Sequence, residues 1–168
     1  MFLAHLPAGY LLTKKLQKHH KIEKYLALGL FASILPDLDL VWWALIDNSQ
    51  HFHHSYWIHI PFYWLIIGLI ALAIIKIAKR DELIMPLIVF MAGIFLHLIL
   101  DTFVGGIKWL YPFSYESIFI ANVPAVYDYW VWNFILHWTF LLEVVIFGWA
   151  GVKWRKSKLD KRAAKCFN

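Results

Sequence analysis

The sequence predicts an all-α, polytopic membrane protein: four transmembrane helices preceded by a short N-terminal helix or re-entrant segment. Three observations predict it. Of the 168 residues, 61% are hydrophobic and only 16% charged, with a mean hydropathy of +0.60; a soluble domain of this size carries more charge and fewer aromatics. The apolar residues come in blocks long enough to cross a bilayer, which takes roughly 20 residues for a hydrocarbon slab about 30 Å thick. The basic residues are segregated, with all but Lys108 of the 16 lysines and arginines falling on one side of the inferred membrane.

The elements follow in order. Residues 2–12 are apolar but too short to span, and they do not read as a cleavable signal: no basic residue precedes them and no small-residue cleavage site follows. Spans are predicted at 25–46, 56–78, 83–104 and 129–152, followed by a basic tail at 153–168. Without repeats or low-complexity runs, residues 1–168 form a single integral membrane domain. Lys14, Lys15, Lys18, Lys21 and Lys24 precede the first span, Lys76, Lys79 and Arg80 join the second to the third, and seven more basic residues fill the tail. The positive-inside rule places these segments in the cytoplasm of a bacterial-type inner membrane. The net charge of +5 therefore reflects topology and attraction to anionic lipid, not nucleic acid. Trp42, Trp43, Trp57, Trp109, Tyr111, Tyr127, Tyr129 and Trp130 gather near the outer boundary, Tyr25 and Trp154 near the inner one, as amphipathic rings favour headgroup depth. The lone Cys166 rules out a disulfide framework or a cysteine zinc site.

The informative residues are the ionisable ones inside the spans. The first span holds Pro36-Asp37-Leu38-Asp39, the third His97 and Asp101, the fourth His137 and Glu143. A carboxylate at mid-membrane costs about 2.5–3.5 kcal/mol on insertion scales, so two in one span need a neutralising partner, and a divalent cation is one. At 1.5 Å per residue, Asp37 lies roughly 18 Å and His97 roughly 21 Å from the cytoplasmic ends of their spans. His137, counted inward from Tyr129, reaches roughly the same layer. Asp101 is one turn beyond His97 on the same face. The loop His51-Phe52-His53-His54-Ser55 and the early His5 complete the candidate ligands. Imidazoles with carboxylates suit zinc first, with manganese or iron as alternatives, as one or two ions. His59, near an interface, reads as a packing or headgroup-contacting residue, and His19 and His20 as solvated. Glu143 reads equally as ligand, second layer or helix–helix hydrogen bond.

In these residues the sequence resembles the YdjM-like (LexA-regulated) membrane-bound metal-dependent hydrolases. Ala4-His5, Pro36-Asp37-Leu38-Asp39, His51 through His54-Ser55, and His97-x-x-x-Asp101 followed by Gly105-Gly106 and Tyr111-Pro112-Phe113-Ser114 occur in that family's order. Where the family's third element carries arginine and threonine, this chain has Phe52 and His53 at shorter spacing, which leaves open which of His51, His53 and His54 bind and removes a phosphate clamp. The order is also similar, more remotely, to that of the zinc-dependent phospholipase C and P1-type nuclease group.

The resemblance implies a hydrolase acting on a lipid-linked ester, foremost a phosphoester, through a metal-activated water in a site open to the outer leaflet. Membrane lipid is then both environment and substrate. Metal ligands are expected among His5, Asp37, Asp39, His51, His54, His97, Asp101 and His137, with Asp39 completing the shell or serving as general base. Two other classes fit the residues alone: a non-catalytic metal or proton binding or transport protein, and a structural or regulatory module held by a buried polar network. Metal content separates the last from the others.

Overall fold

The computed structural model describes residues 3–20, 24–46 and 53–166. Among them helices dominate, and the only β-pairing is an isolated bridge between Ile107 and Ile118. The helices are α1 (His5–His20), α2 (Leu26–Ile34), α3 (Asp39–Leu45), α4 (Pro61–Ile77), α5 (Ile84–Asp101), α6 (Trp130–Ile135) and α7 (Thr139–Cys166).

Helix α5 is the spine, packed on α1, α2 and α4, while α1 also packs on α2 and α7. Small residues let these backbones approach. A Cβ on Gly29 of α2 would stand 2.0 Å from Thr13 Oγ1 of α1, and one on Gly93 of α5 would stand 2.7 Å from Ala32 Cβ of α2. Close approach of this kind is how helices associate where lipid removes the hydrophobic drive between them. Ile94, Leu98, Ala32, Trp64 and Ile107 form one core cluster, and Ala4, Ala8 and Leu100 a second.

The exterior is apolar. Leu65, Leu69, Ile70, Ile74 and Ile77 of α4 and Leu141, Val145, Phe147 and Val152 of α7 are exposed, while His5, His59, His97, Asp101 and Glu143 are buried. This inversion suits a lipid surround, since contiguous apolar surface this large is uncommon on a soluble monomer.

Length and apolarity qualify fewer helices than the four spans expected. Among the described residues the continuous stretch Asp81–Asp101, 21 residues, qualifies alone, and a second span is added if the bent pair Leu26–Ile34 and Pro36–Trp43 counts as one. The expected first span breaks by 51°, because Pro36 has no N–H to continue the ladder and its ring crowds the preceding turn. The second starts later than expected, with Pro61 at the first helical position after the short 3-10 turn Trp57–His59, a site that suits proline's fixed φ. It is 17 residues long. The fourth divides into α6 and α7, and α7 continues as helix through the basic tail to Cys166, a stretch rich in the good helix formers lysine, arginine and alanine. The N-terminal segment is also longer than expected, since α1 runs 16 residues.

Candidate metal centre

Four pieces of chain converge where α5 ends. His97 and Asp101 occupy its last two turns. Asp37 lies in the 3-10 turn Pro36–Leu38 at the α2–α3 break, and Asp39 opens α3. His5 begins α1. The successive 3-10 turns His53–Ser55 and Trp57–His59 bring in His54 and His59.

Asp101 is the hub. Its Oδ1 lies 3.1 Å from His5 Nε2. Its Oδ2 lies 2.9 Å from His97 Nε2, 3.5 Å from His54 Nε2 and 3.7 Å from His59 Nε2. Asp37 adds oxygens 3.8 Å from His5 Nε2 and 3.6 Å from His97 Nε2. Two groups result, each with ligand atoms within 4.8 Å of one another: His5, Asp37, His97 and Asp101, and His54, His59 and Asp101.

The outer nitrogens fix the inner ones. His97 Nδ1 donates to the Ser33 carbonyl at 2.8 Å, and His54 Nδ1 to the Gly105 carbonyl at 2.7 Å. A neutral ring anchored through Nδ1–H turns an Nε2 lone pair inward, the usual arrangement of a metal-binding histidine. For His59, Asp39 takes the carbonyl's place: its Oδ2 lies 2.9 Å from Nδ1, a carboxylate–histidine pair aimed at the same centre.

With the rings neutral and their Nε2 lone pairs turned inward, these groups repel. Asp101 is a buried carboxylate at the C-terminal end of a helix, where the dipole is negative, and nitrogen lone pairs face its oxygens. His5 and His97 stack with ring centres 3.9 Å apart, so protonating both would crowd two charges. A divalent cation between the nitrogens and oxygens removes the conflict, and the donor set fits one. The opening is beside Asp37, whose side chain is 26% exposed, against 8% or less for the five partners.

Of the expected ligands, His5, Asp37, His54, His97 and Asp101 come together. Asp39 stands behind His59, outside both ligand groups. His51 lies outside the described residues. His137 joins neither group: its Nδ1 pairs with Thr139 Oγ1 at 2.9 Å, beside Trp138. An unbroken helix from Tyr129 would carry it to the ligand layer, but α6 stops at Ile135. His59, read as a packing residue, is fully buried in the second group. Its position five residues after His54 and directly before the Ile60-Pro61 helix start does not by itself mark it as a ligand. Glu143 is a backbone anchor: Oε2 accepts the Leu3 N–H at 2.6 Å, just ahead of His5.

Compared with known protein families, residues 2–159 match the family described as YdjM inner membrane protein. No curated protein and no solved structure matches the chain, so the remoter likeness to the phospholipase C and P1-type nuclease group rests on motif order alone.

Proposed function

The chain belongs to the YdjM inner membrane protein family, and on that membership together with the buried cluster we propose a membrane-embedded, metal-dependent hydrolase of a lipid-linked ester, foremost a phosphoester. The observation that carries the reading is Asp101 shared between two ligand groups. His5, Asp37, His97 and Asp101 would hold one ion, and His54, His59 and Asp101 a second, with zinc the best fit to an imidazole–carboxylate set without thiolate. Ions held this way would supply a water of pKa lowered to about 7 and positive charge for the ester oxygen.

The chain's own residues do the rest. Asp37, the most exposed carboxylate of the cluster, would hold the first ion through one oxygen and leave the other to take a proton, so the general-base role moves to it from Asp39 in this reading. Asp39 holds the His59 ring. Ser33 and Gly105 carbonyls hold His97 and His54, and the buried walls keep bulk water out. The basic segments mark the cytoplasmic side in this reading. Asp101, about 30 Å along the helix from Asp81, then lies in the outer half, where a substrate can keep its tail in lipid.

The test is metal content of the detergent-purified protein by mass spectrometry, with hydrolysis of phospholipid and of a chromogenic phosphodiester. About two ions per chain, lost together with hydrolysis in His97→Ala and Asp101→Asn, are expected. A folded protein that takes up no metal on supplementation overturns the proposal. Metal held without turnover of any ester transfers the site to a binding or transport role.

A further inference from the structure

A crevice of about 560 Å³ opens between α1, α5 and α7, apart from the metal ligands. Its deep end is walled by Leu96, Leu100 and Ile146, which pack with the Ala4–Ala8 cluster. Leu11 and Trp149 continue the wall, and the other end is rimmed by Lys14, Lys15 and Lys153, with the Ser157 hydroxyl beside them. From Ile146 to Ser157 along α7 is roughly 16 Å. The lining is graded, wholly apolar at one end and basic at the other, and no carboxylate lies among the lining residues.

That gradient selects an occupant. Lysines at a helix end that only snorkel to water need no groove beneath them. Here three lysines from two helices line one end of an apolar slot, and the complement is one molecule with an acyl chain and an anionic head. We propose that this crevice is a binding site for an anionic phospholipid of the leaflet on the basic side. Its phosphate would be held by Lys14, Lys15 and Lys153, and one acyl chain laid between Leu11 and Trp149 toward Leu100 and Ile146. Basic residues at a membrane surface attract anionic lipid generally; the slot adds retention of a single lipid. Such a lipid would also brace α1, the helix that presents His5, against α5 and α7. The proposal stands apart from the hydrolase reading, because it invokes no metal and no turnover.

Native mass spectrometry of the full chain, delipidated in detergent and titrated with dioleoyl phosphatidylglycerol or dioleoyl phosphatidylcholine, tests it. The wild type should retain one phosphatidylglycerol at several-fold lower lipid concentration than phosphatidylcholine. A Lys14→Gln/Lys153→Gln variant should bind both lipids alike, and Ile146→Trp, which fills the deep end, should retain neither. Leu11→Trp, at the wall's midpoint, serves in its place if Ile146→Trp loses its helical circular dichroism. Equal retention of the two lipids by the wild type overturns the proposal, as does a charge variant that keeps the preference or a slot-filled variant that keeps the lipid.

Discussion

Asp101 ends α5 with both carboxylate oxygens turned toward imidazole nitrogens, and the residues around it divide into those that touch the centre and those that aim what touches it. Asp39 belongs to the second kind. Removing its charge leaves both ligand groups chemically complete but frees the His59 ring, and loss of such an outer partner typically costs about 10–100-fold in metal affinity. Asp39→Asn should therefore weaken one of two ions by that order and leave the other, whereas Asp37→Asn should weaken the opposite one; titration with a metal-sensitive dye reads both. Equal weakening of both ions by Asp39→Asn would place it in the shell instead. Gly105 aims His54, since an added Cβ would stand 2.2 Å from its Cε1. Gly105→Ala should displace the ring and cost the same ion that Asp39→Asn costs, a pairing that the titration also checks. Much of this was legible in the sequence: charged residues where lipid should be, at i and i+4 in one helix and beside a proline in another, announce a shared centre. His59 was not, because its burial depends on two short turns folding back over the end of α5, and no local pattern encodes that return.

Elements position these residues by breaking where a regular helix would carry them away. The bend at Pro36 places Asp37 in a turn against α5 and brings the Ser33 carbonyl to His97. Pro36 carries the local signal for this break, although the span was expected to run unbroken from 25 to 46; the use of the Ser33 carbonyl as a hydrogen-bond acceptor for α5 was not readable, being a long-range contact. The break between α6 and α7 was missed for the complementary reason: Leu136-His137-Trp138 carries no proline or glycine, so hydropathy alone runs the two helices together. The start of α1 depends on α7 in turn, through Glu143 and the Leu3 N–H. A donor that loses its acceptor costs up to about 1–3 kcal/mol when buried; this one is only part-buried, so the cost falls toward the lower end, and the strain would fall two residues from His5. Glu143→Ala should lower thermal stability and weaken the ion held by His5, while sparing the one held by His54 and His59. Glu143→Gln, which keeps an acceptor oxygen, should restore most of both. Equal loss in the two variants would mean that the carboxylate's charge matters and not its hydrogen bond.

At the scale of the molecule, the apolar exterior and charged interior make the centre a part of folding. Burying carboxylates among imidazoles is costly without a cation, and an ion that binds only the folded chain stabilises it by about 4 kcal/mol at a thousandfold excess over its dissociation constant. For a chain of this length that corresponds to a melting-temperature shift on the order of 10 °C, which chelation should abolish. The pH dependence separates a metal-held centre from a proton-held one, because the signs are opposite. Imidazoles must be deprotonated to bind metal, so stability due to an ion is present above the histidine range near about 6.5 and is lost as pH falls through it. A network of imidazolium and carboxylate gains stability from protonation and loses it as pH rises through the same range. Melting curves in detergent from about pH 8 to 5.5, with and without chelator, should therefore fall toward acid in the loaded protein and lose that dependence in the stripped one. Melting temperatures that rise toward acid in both would show that protons, not a metal, hold the cluster, and the hydrolase reading would fall with the ion.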